Sequence, residues 1–259
     1  MGTFLKKMII NCDEEVNMTP LTFTAEEANS SVKLTKIGSP TVDGVQYRIG
    51  TSGGWSPYTI DTVITLANIG DCVQFQNTLE TLGKGFNDFA KFVMTGKIAA
   101  SGNCMAMLNF SKSVSAFAFH KLFNGSHALV SAPLLPATIL APNCYSSMFY
   151  YCSKLVNAPI LPATTLANNC YRNMFNGCTS LVNAPELPAT TLANYCYLFM
   201  FNGCTKLNHI KVNFSSWING TTNNWVKGVS PTGVFNAPSD LPNIFGDSNI
   251  PTGWTITNN

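Results

Sequence analysis

The chain has 259 residues, of which 46% are hydrophobic and only 11% charged, with a formal net charge of +2. Soluble domains carry about 25% charged residues, so solubility here falls to Asn, Ser and Thr, while low charge with ample apolar content excludes a disordered chain. The near-zero net charge and the absence of a Lys/Arg cluster give no reason to expect a nucleic-acid partner.

No run approaches the roughly 18 apolar residues of a membrane helix, so no membrane insertion is expected. At the N-terminus Lys6 and Lys7 are followed by only Met8 to Ile10 before Asp13, Glu14 and Glu15. A secretory apolar region needs roughly 7–15 residues, so Sec export is not expected. Ten of the 13 acidic residues lie before residue 90, whereas residues 129–210 hold four formal charges: Lys154, Arg172, Glu186 and Lys206. This shift suggests two units meeting near 100–115. The expected division is an N-terminal arm (1–20), a β-rich anchoring domain (21–110), a repeat array (111–212) and a C-terminal cap (213–259).

Short runs rich in β-branched and aromatic residues predict strands at Leu21–Ala25, Ser31–Thr35, Val45–Ile49, Val63–Leu66 and Cys72–Phe75. Turn residues punctuate them, as at Asp43-Gly44, Gly53-Gly54 and Gly70-Asp71. This spacing fits a small sandwich or barrel. Residues 79–92, with Leu79, Leu82, Phe86, Phe89 and Phe92, read as an amphipathic helix or an irregular cover, the helix weakened by Gly83 and Gly85. Tyr47, Trp55 and Tyr58 read as core aromatics, with sugar stacking as the sharper alternative.

The second half repeats every 26 residues. Phe123, Phe149, Phe175 and Phe201 keep that step, as do Leu129, Leu155, Leu181 and Leu207. Cys144, Cys170 and Cys196 form a third column and Cys152, Cys178 and Cys204 a fourth. A fixed period of this length marks a solenoid, in which one coil cannot bury its apolar side alone and copies stack into ladders. Within a coil, Cys170, Met174 and Phe175 stand at i, i+4 and i+5, which suits a short helix or 3₁₀ turn. Gly177 ends it, and Pro185 and Pro188 exclude helix beyond. The fold class expected is therefore mainly β: a β-sandwich-like domain, then a leucine-rich-repeat-like solenoid of strand plus short helix, then an aromatic cap.

The pattern Met-Phe-x-x-Cys-x-x-Leu-x-x-Ala-Pro-x-Leu-Pro-Ala-Thr-Thr-Leu-Ala-x-x-Cys-Tyr resembles the BspA-like class of leucine-rich repeats, known from surface proteins and phages of gut bacteria. Its marker pieces are Phe175, Cys178 followed by Leu181, and Leu187-Pro188. The likeness covers about residues 115–212, and the Ala-Pro insertion lengthens the commonest family coil. Leu21-Thr-Phe-Thr24, the stretch Phe92 to Asn103 and the Trp-rich tail resemble a module found before such repeats in phage and prophage proteins. The resemblance implies adhesion or display and no catalysis.

After Leu207 the motif gives way to Trp217, Trp225, Phe235, Phe245 and Trp254, read as a cap over the last coil, with an aromatic sugar platform as the alternative. At the other end Leu122-Phe123 replaces Met-Phe and Ser126 replaces the second cysteine, which marks a degenerate first coil. The two cysteine columns lack the close pairs of a zinc site, and free Cys is among the most buried residues, so they read as core filling without metal or cofactor. The redox state of Cys12, Cys72 and Cys104 is left open. Glu186 is the sole carboxylate of the repeats, and Asp61 and Asp71 read as solvated, so no enzyme is expected.

Positions that change between coils carry the candidate binding surface. Tyr150-Tyr151 becomes Asn176-Gly177, Ser146-Ser147 becomes Arg172-Asn173, and Ile160 becomes Glu186. Tyr150, Tyr151, Arg172, Asn173 and Glu186 are the candidates, since Tyr and Arg make strong interface contacts. The function expected is display: the β domain joins other structural proteins of a larger assembly, and the repeats face a host glycan or protein. A virion is the expected location, because virion parts leave by lysis. The alternatives are a bacterial cell-surface adhesin and a glycan-active enzyme with accessory repeats. A homo-oligomer is compatible with this reading.

Overall fold

The structure is a computed structural model that describes residues 18–259 apart from Thr81 and Lys112. The N-terminal arm up to residue 17, with Cys12, lies outside the described residues. The chain is mainly β, with several sheets and none closed. A 3₁₀ turn at Cys104–Leu108 is the one helical element among the described residues.

The first half supplies β1 (Leu21–Ala25), β2 (Ser30–Ile37), β3 (Val45–Ile49), β4 (Ser56–Pro57), β5 (Ile64–Leu66), β6 (Cys72–Asn77), β7 (Gly83–Gly85), β8 (Asp88–Thr95) and β9 (Ile98–Ser101). The second half adds β10 (Leu129–Ser131), β11 (His209–Lys211), β12 (Val234–Ala237) and β13 (Thr255–Asn258). One sheet runs β10-β9-β1-β6-β3-β4, and a second runs β5-β2-β8-β7. Period-two alternation sets their faces: in β2, Ser30, Val32 and Leu34 are buried, while Ser31, Lys33 and Thr35 turn outward. The two sheets meet through Phe23 and Phe75 of the first and Phe92 of the second, with ring centroids 4.7 Å and 5.1 Å from Phe92.

Residues 79–92 form no helix. They make the β7–β8 hairpin instead, and β8 pairs with β2 along its length. Gly83 explains the departure, because a Cβ there would stand 2.7 Å from the Phe117 carbonyl oxygen. The glycine is needed for close approach to the repeats rather than as a helix flaw.

The coils also contain no helix. Their backbone instead alternates between two kinds of hydrogen bond. The N–H groups of Cys144, Ser146, Met148, Tyr150 and Cys152 each donate to the carbonyl three residues back. The N–H groups between them, on Tyr145, Ser147, Phe149 and Tyr151, donate to Cys170, Arg172, Met174 and Asn176 of the next coil. Every fourth residue is left-handed: Asn143, Ser147 and Tyr151, then Asn169, Asn173 and Gly177. A left-handed residue in each turn breaks an α-helix and turns half the donors sideways, so the coils are stitched together by main chain. On the opposite side the coils touch through single parallel bridges, Ser131 to Asn157 to Asn183 to His209. Prolines 133, 136, 159, 162, 185 and 188 deny that side a wider ladder, since proline has no N–H to give.

The stack extends beyond the 26-residue sequence repeat. Tyr197, Phe199, Phe201 and Gly203 donate to Thr221, Asn223, Trp225 and Lys227, 24 residues on, where the corresponding bonds of the earlier coils reach 25 residues on. Residues 218–229 thus form a further turn of the same ribbon, inside the region expected as a cap. The strand side continues in parallel as β11-β12-β13.

The core is continuous. It runs from Leu21 to Trp254 and crosses residues 100–115 through Met105, Met107, Leu108 and Val114. Leu129, Leu155, Leu181 and Leu207 are fully buried, as are the four phenylalanines of the repeat. Phe123, Phe149, Phe175 and Phe201 follow one another at 5.3, 5.5 and 5.8 Å with near-parallel rings. Phe92 extends this column into the β domain, stacked on Phe123 at 5.8 Å. A second column joins Phe119, Tyr145, Tyr171 and Tyr197. Trp225 ends both.

Candidate functional site

The cysteine columns lie inside this stack. Cys144, Cys152, Cys170, Cys178, Cys196 and Cys204 are all fully buried and free. The Sγ atoms of Cys152, Cys178 and Cys204 donate to the carbonyls of Phe123, Phe149 and Phe175 at 3.0–3.1 Å. Ser126, in the same column, gives its Oγ to the Phe92 carbonyl at 3.0 Å. The serine of the first coil therefore makes the cysteine's contact to the β domain. Burial pushes every thiol of these columns up, Cys144 and Cys196 to about 12. Thiols held protonated are poor nucleophiles. No group of three His, Cys, Asp or Glu gathers among the described residues, and no described helix is long and apolar enough to cross a membrane.

Of the aromatic candidates in the first half, Tyr58 lies in the core and Tyr47 packs against it, while Trp55 is only partly covered. Tyr58 is buried, accepts the Leu34 N–H at 2.9 Å and donates to the Thr62 carbonyl. Tyr47 packs edge-on to it, and Arg48 covers Trp55 at 4.7 Å. Trp225, Phe235 and Trp254 are buried, and Trp225 and Trp254 donate their Nε1–H groups to the Asn249 and Ser230 carbonyls. Phe245 alone of the tail aromatics is half exposed.

The binding candidates separate into two places. Tyr150 and Asn173 line one open cleft of about 610 Å³. Tyr151 stands beside Tyr150, with rings 4.5 Å apart and nearly perpendicular. It is 49% exposed and left-handed, at a position where the other coils carry Gly125, Gly177 and Gly203. Arg172 is half-buried and disfavours protonation of His120. Glu186 lies on the bridged side of its coil, where it pairs with Lys211 at 2.9 Å.

The cleft draws on elements that the repeat alone does not reveal. Ile37 closes β2, and Asn87, Phe89 and Lys91 come from the hairpin. Lys121 and Asn124 come from the first coil, Ser147 and Tyr150 from the second, and Asn173 from the third. Lys121, Ser147 and Asn173 are one left-handed column at the 26-residue step. Reading that column back from Ser147 would have found Lys121, whereas nothing in the sequence joins Lys91 to it. Lys121 lies over the Phe89 ring at 4.7 Å. Partial burial, and then the Lys91 charge, lower its proton affinity.

Behind Lys121, His120 is buried among Phe86, Phe89 and Phe117, whose rings meet it edge-on at 5.4–5.8 Å. Neither ring nitrogen has a partner in hydrogen-bond geometry, although the Ser146 and Phe86 carbonyls lie near enough to favour the charged form weakly. Burial dominates, followed by the Lys121 charge, and together they push the imidazole down to about 4.

Comparison with protein families, with curated proteins and with solved structures finds no match to this chain.

Proposed function

We propose that this chain is a non-enzymatic display protein whose 26-residue coils form a solenoid of the BspA-like leucine-rich-repeat kind. In this reading the β-sandwich-like first unit attaches to a larger assembly, a phage virion, and the outer face of the coils binds a host glycan or protein. The observation that carries it is a fixed interior beneath a changing exterior. From the second coil on, the inner columns are Phe, Leu, Met and Cys and are fully buried, while the exposed column Leu134, Ile160 and Glu186 changes from coil to coil. A rigid scaffold with variable outward positions is the form recognition surfaces take.

The acids weighed for catalysis are engaged otherwise. Asp61 is half exposed and 3.7 Å from Lys33, and Asp71 accepts the Asn68 N–H within a turn.

The test uses purified virions and host cells. An antibody against the coils is expected to decorate intact virions, and labelling of the bacterial surface alone would replace the virion with a cellular adhesin. Tyr151→Ala combined with Arg172→Ala is expected to weaken attachment of the purified chain to cells without moving its melting curve. Unchanged attachment would remove that face from consideration.

A further inference from the structure

The cleft between the β7–β8 hairpin and the first three coils is chemically one-sided. Among the described residues that line it, Lys91 and Lys121 are the only charged ones, and none is an acid. The ion pairs among the described residues engage Lys33, Lys97 and Lys211, so neither cleft lysine has a carboxylate partner there. Lys121 is also held in place, 4.7 Å over Phe89 with its Nζ 3.5 Å from the Phe86 carbonyl.

The remaining polar side chains are amides and hydroxyls, and the N–H groups of the coil residues are already engaged. The N–H groups of Lys121, Ser147 and Asn173 already donate to Ser146, Arg172 and Leu198. Those of Asn124 and Tyr150 donate to carbonyls three residues back. A bare phosphate is typically cradled by free, converging N–H groups, and here they are spent. Side chains alone must do the recognising. Ammonium groups answer a negative charge, amides and a hydroxyl answer a set of ligand hydroxyls, and the Tyr150 ring offers a flat wall.

We propose that this cleft binds an acidic saccharide, its carboxylate or sulfate between Lys91 and Lys121 and its hydroxyls on Asn124, Ser147 and Asn173 beside Tyr150. The inference rests on the display reading only in naming the ligand class for the displayed face. A cleft of about 610 Å³ falls within the size range of small-ligand sites. Uncompensated like charges at one mouth favour an anion and repel a cationic one.

The full chain is titrated by calorimetry with trigalacturonate, a sulfated heparin disaccharide, neutral galactotriose and inorganic phosphate. At least one acidic saccharide is expected to bind about tenfold or more tighter than galactotriose and phosphate, and to weaken as salt rises. Lys91→Gln leaves the Lys121–Phe89 contact intact and is expected to lose about threefold or more in affinity with an unchanged melting curve; adding Lys121→Gln is expected to bring the loss to about tenfold. Equal affinity for acidic and neutral sugars, phosphate binding as tightly as the sugars, or wild-type affinity in Lys91→Gln would overturn the proposal. Cell attachment measured in parallel separates the two readings. Attachment without acidic-sugar binding sinks the cleft and spares display, and sugar binding without attachment does the reverse.

Discussion

His120 makes the stability of this protein depend on pH in a window that can be calculated. Its imidazole is buried against three phenylalanine rings, with no hydrogen-bond partner for either nitrogen. Lys121 and Arg172 add positive charge nearby. The unfolded imidazole takes up its proton below the ordinary value of 6.5, whereas the folded one does so only below about 4. Between these values the unfolded chain binds more protons, so stability falls as the pH drops. At about 1.4 kcal/mol per pH unit, the gap removes about 2 kcal/mol at pH ~5 and about 3 kcal/mol near pH ~4, relative to pH ~8. His120→Leu deletes the titration and relieves two unpaired buried nitrogens, so at pH ~8 it should be as stable as the wild type or more so. The assay is urea unfolding of both proteins at pH ~7.5 and ~5, where carboxylate titrations common to both cancel. The wild type is expected to lose about 2 kcal/mol more than the variant. Parallel pH profiles would refute the argument and mean that His120 finds a partner or a route to solvent.

The stack makes two further predictions. Leu181→Ala and Phe175→Ala each empty a fully buried position between two coils and should cost roughly 2–5 kcal/mol in denaturant melts. A loss under about 1 kcal/mol would show that the columns do not bear on one another. Cys178→Ala removes both the Sγ bond to Phe149 and a buried atom, for a loss of roughly 1–2 kcal/mol. Cys178→Ser should cost less than half of that, because Ser126 already makes the same contact one end of the stack earlier. Equal losses for the two variants would show that the thiol serves as volume alone.

Much of the interior was legible because its period is fixed. Columns of Phe, Leu and Cys at a constant step can only be ladders if the coils stack. The ribbon was not read, for a physical reason. Its left-handed residues recur every fourth position, so the inward pairs Cys144-Tyr145, Met148-Phe149 and then Cys152 also recur every fourth position. Over nine residues a period of four is indistinguishable from the 3.6 of a helix. The signal that separates them is Asn169, Asn173 and Gly177, residue types that tolerate left-handed backbone, spaced by four. The turn at 218–229 escaped because main-chain stitching needs no particular side chain, so it outlasts the motif. The cleft escaped because three of its nine lining residues come from a hairpin whose sequence pattern reads as a helix or an irregular cover.

The scarcity of charge in residues 129–210 follows from the same geometry. Corresponding rings in successive coils lie 5.3–6.2 Å apart. A charge placed at a repeated position would face its own copies at about that distance, for a repulsion of about 1–3 kcal/mol per neighbour between water and an effective dielectric of about 20. The four charges that do occur obey the rule. Arg172 has Ser146 and Leu198 as column neighbours, and Glu186 has Ile160 and Val212. Lys154 and Lys206 share a column, but Ser180 stands between them. The cleft breaks the rule, since Lys91 and Lys121 share one mouth without an intervening acid. They come from different layers, a hairpin and a coil, held side by side where the Phe92 N–H donates to the Leu122 carbonyl. A stack that elsewhere keeps like charges apart holds two together where the repeats meet the β domain, and an anion entering there would relieve the repulsion.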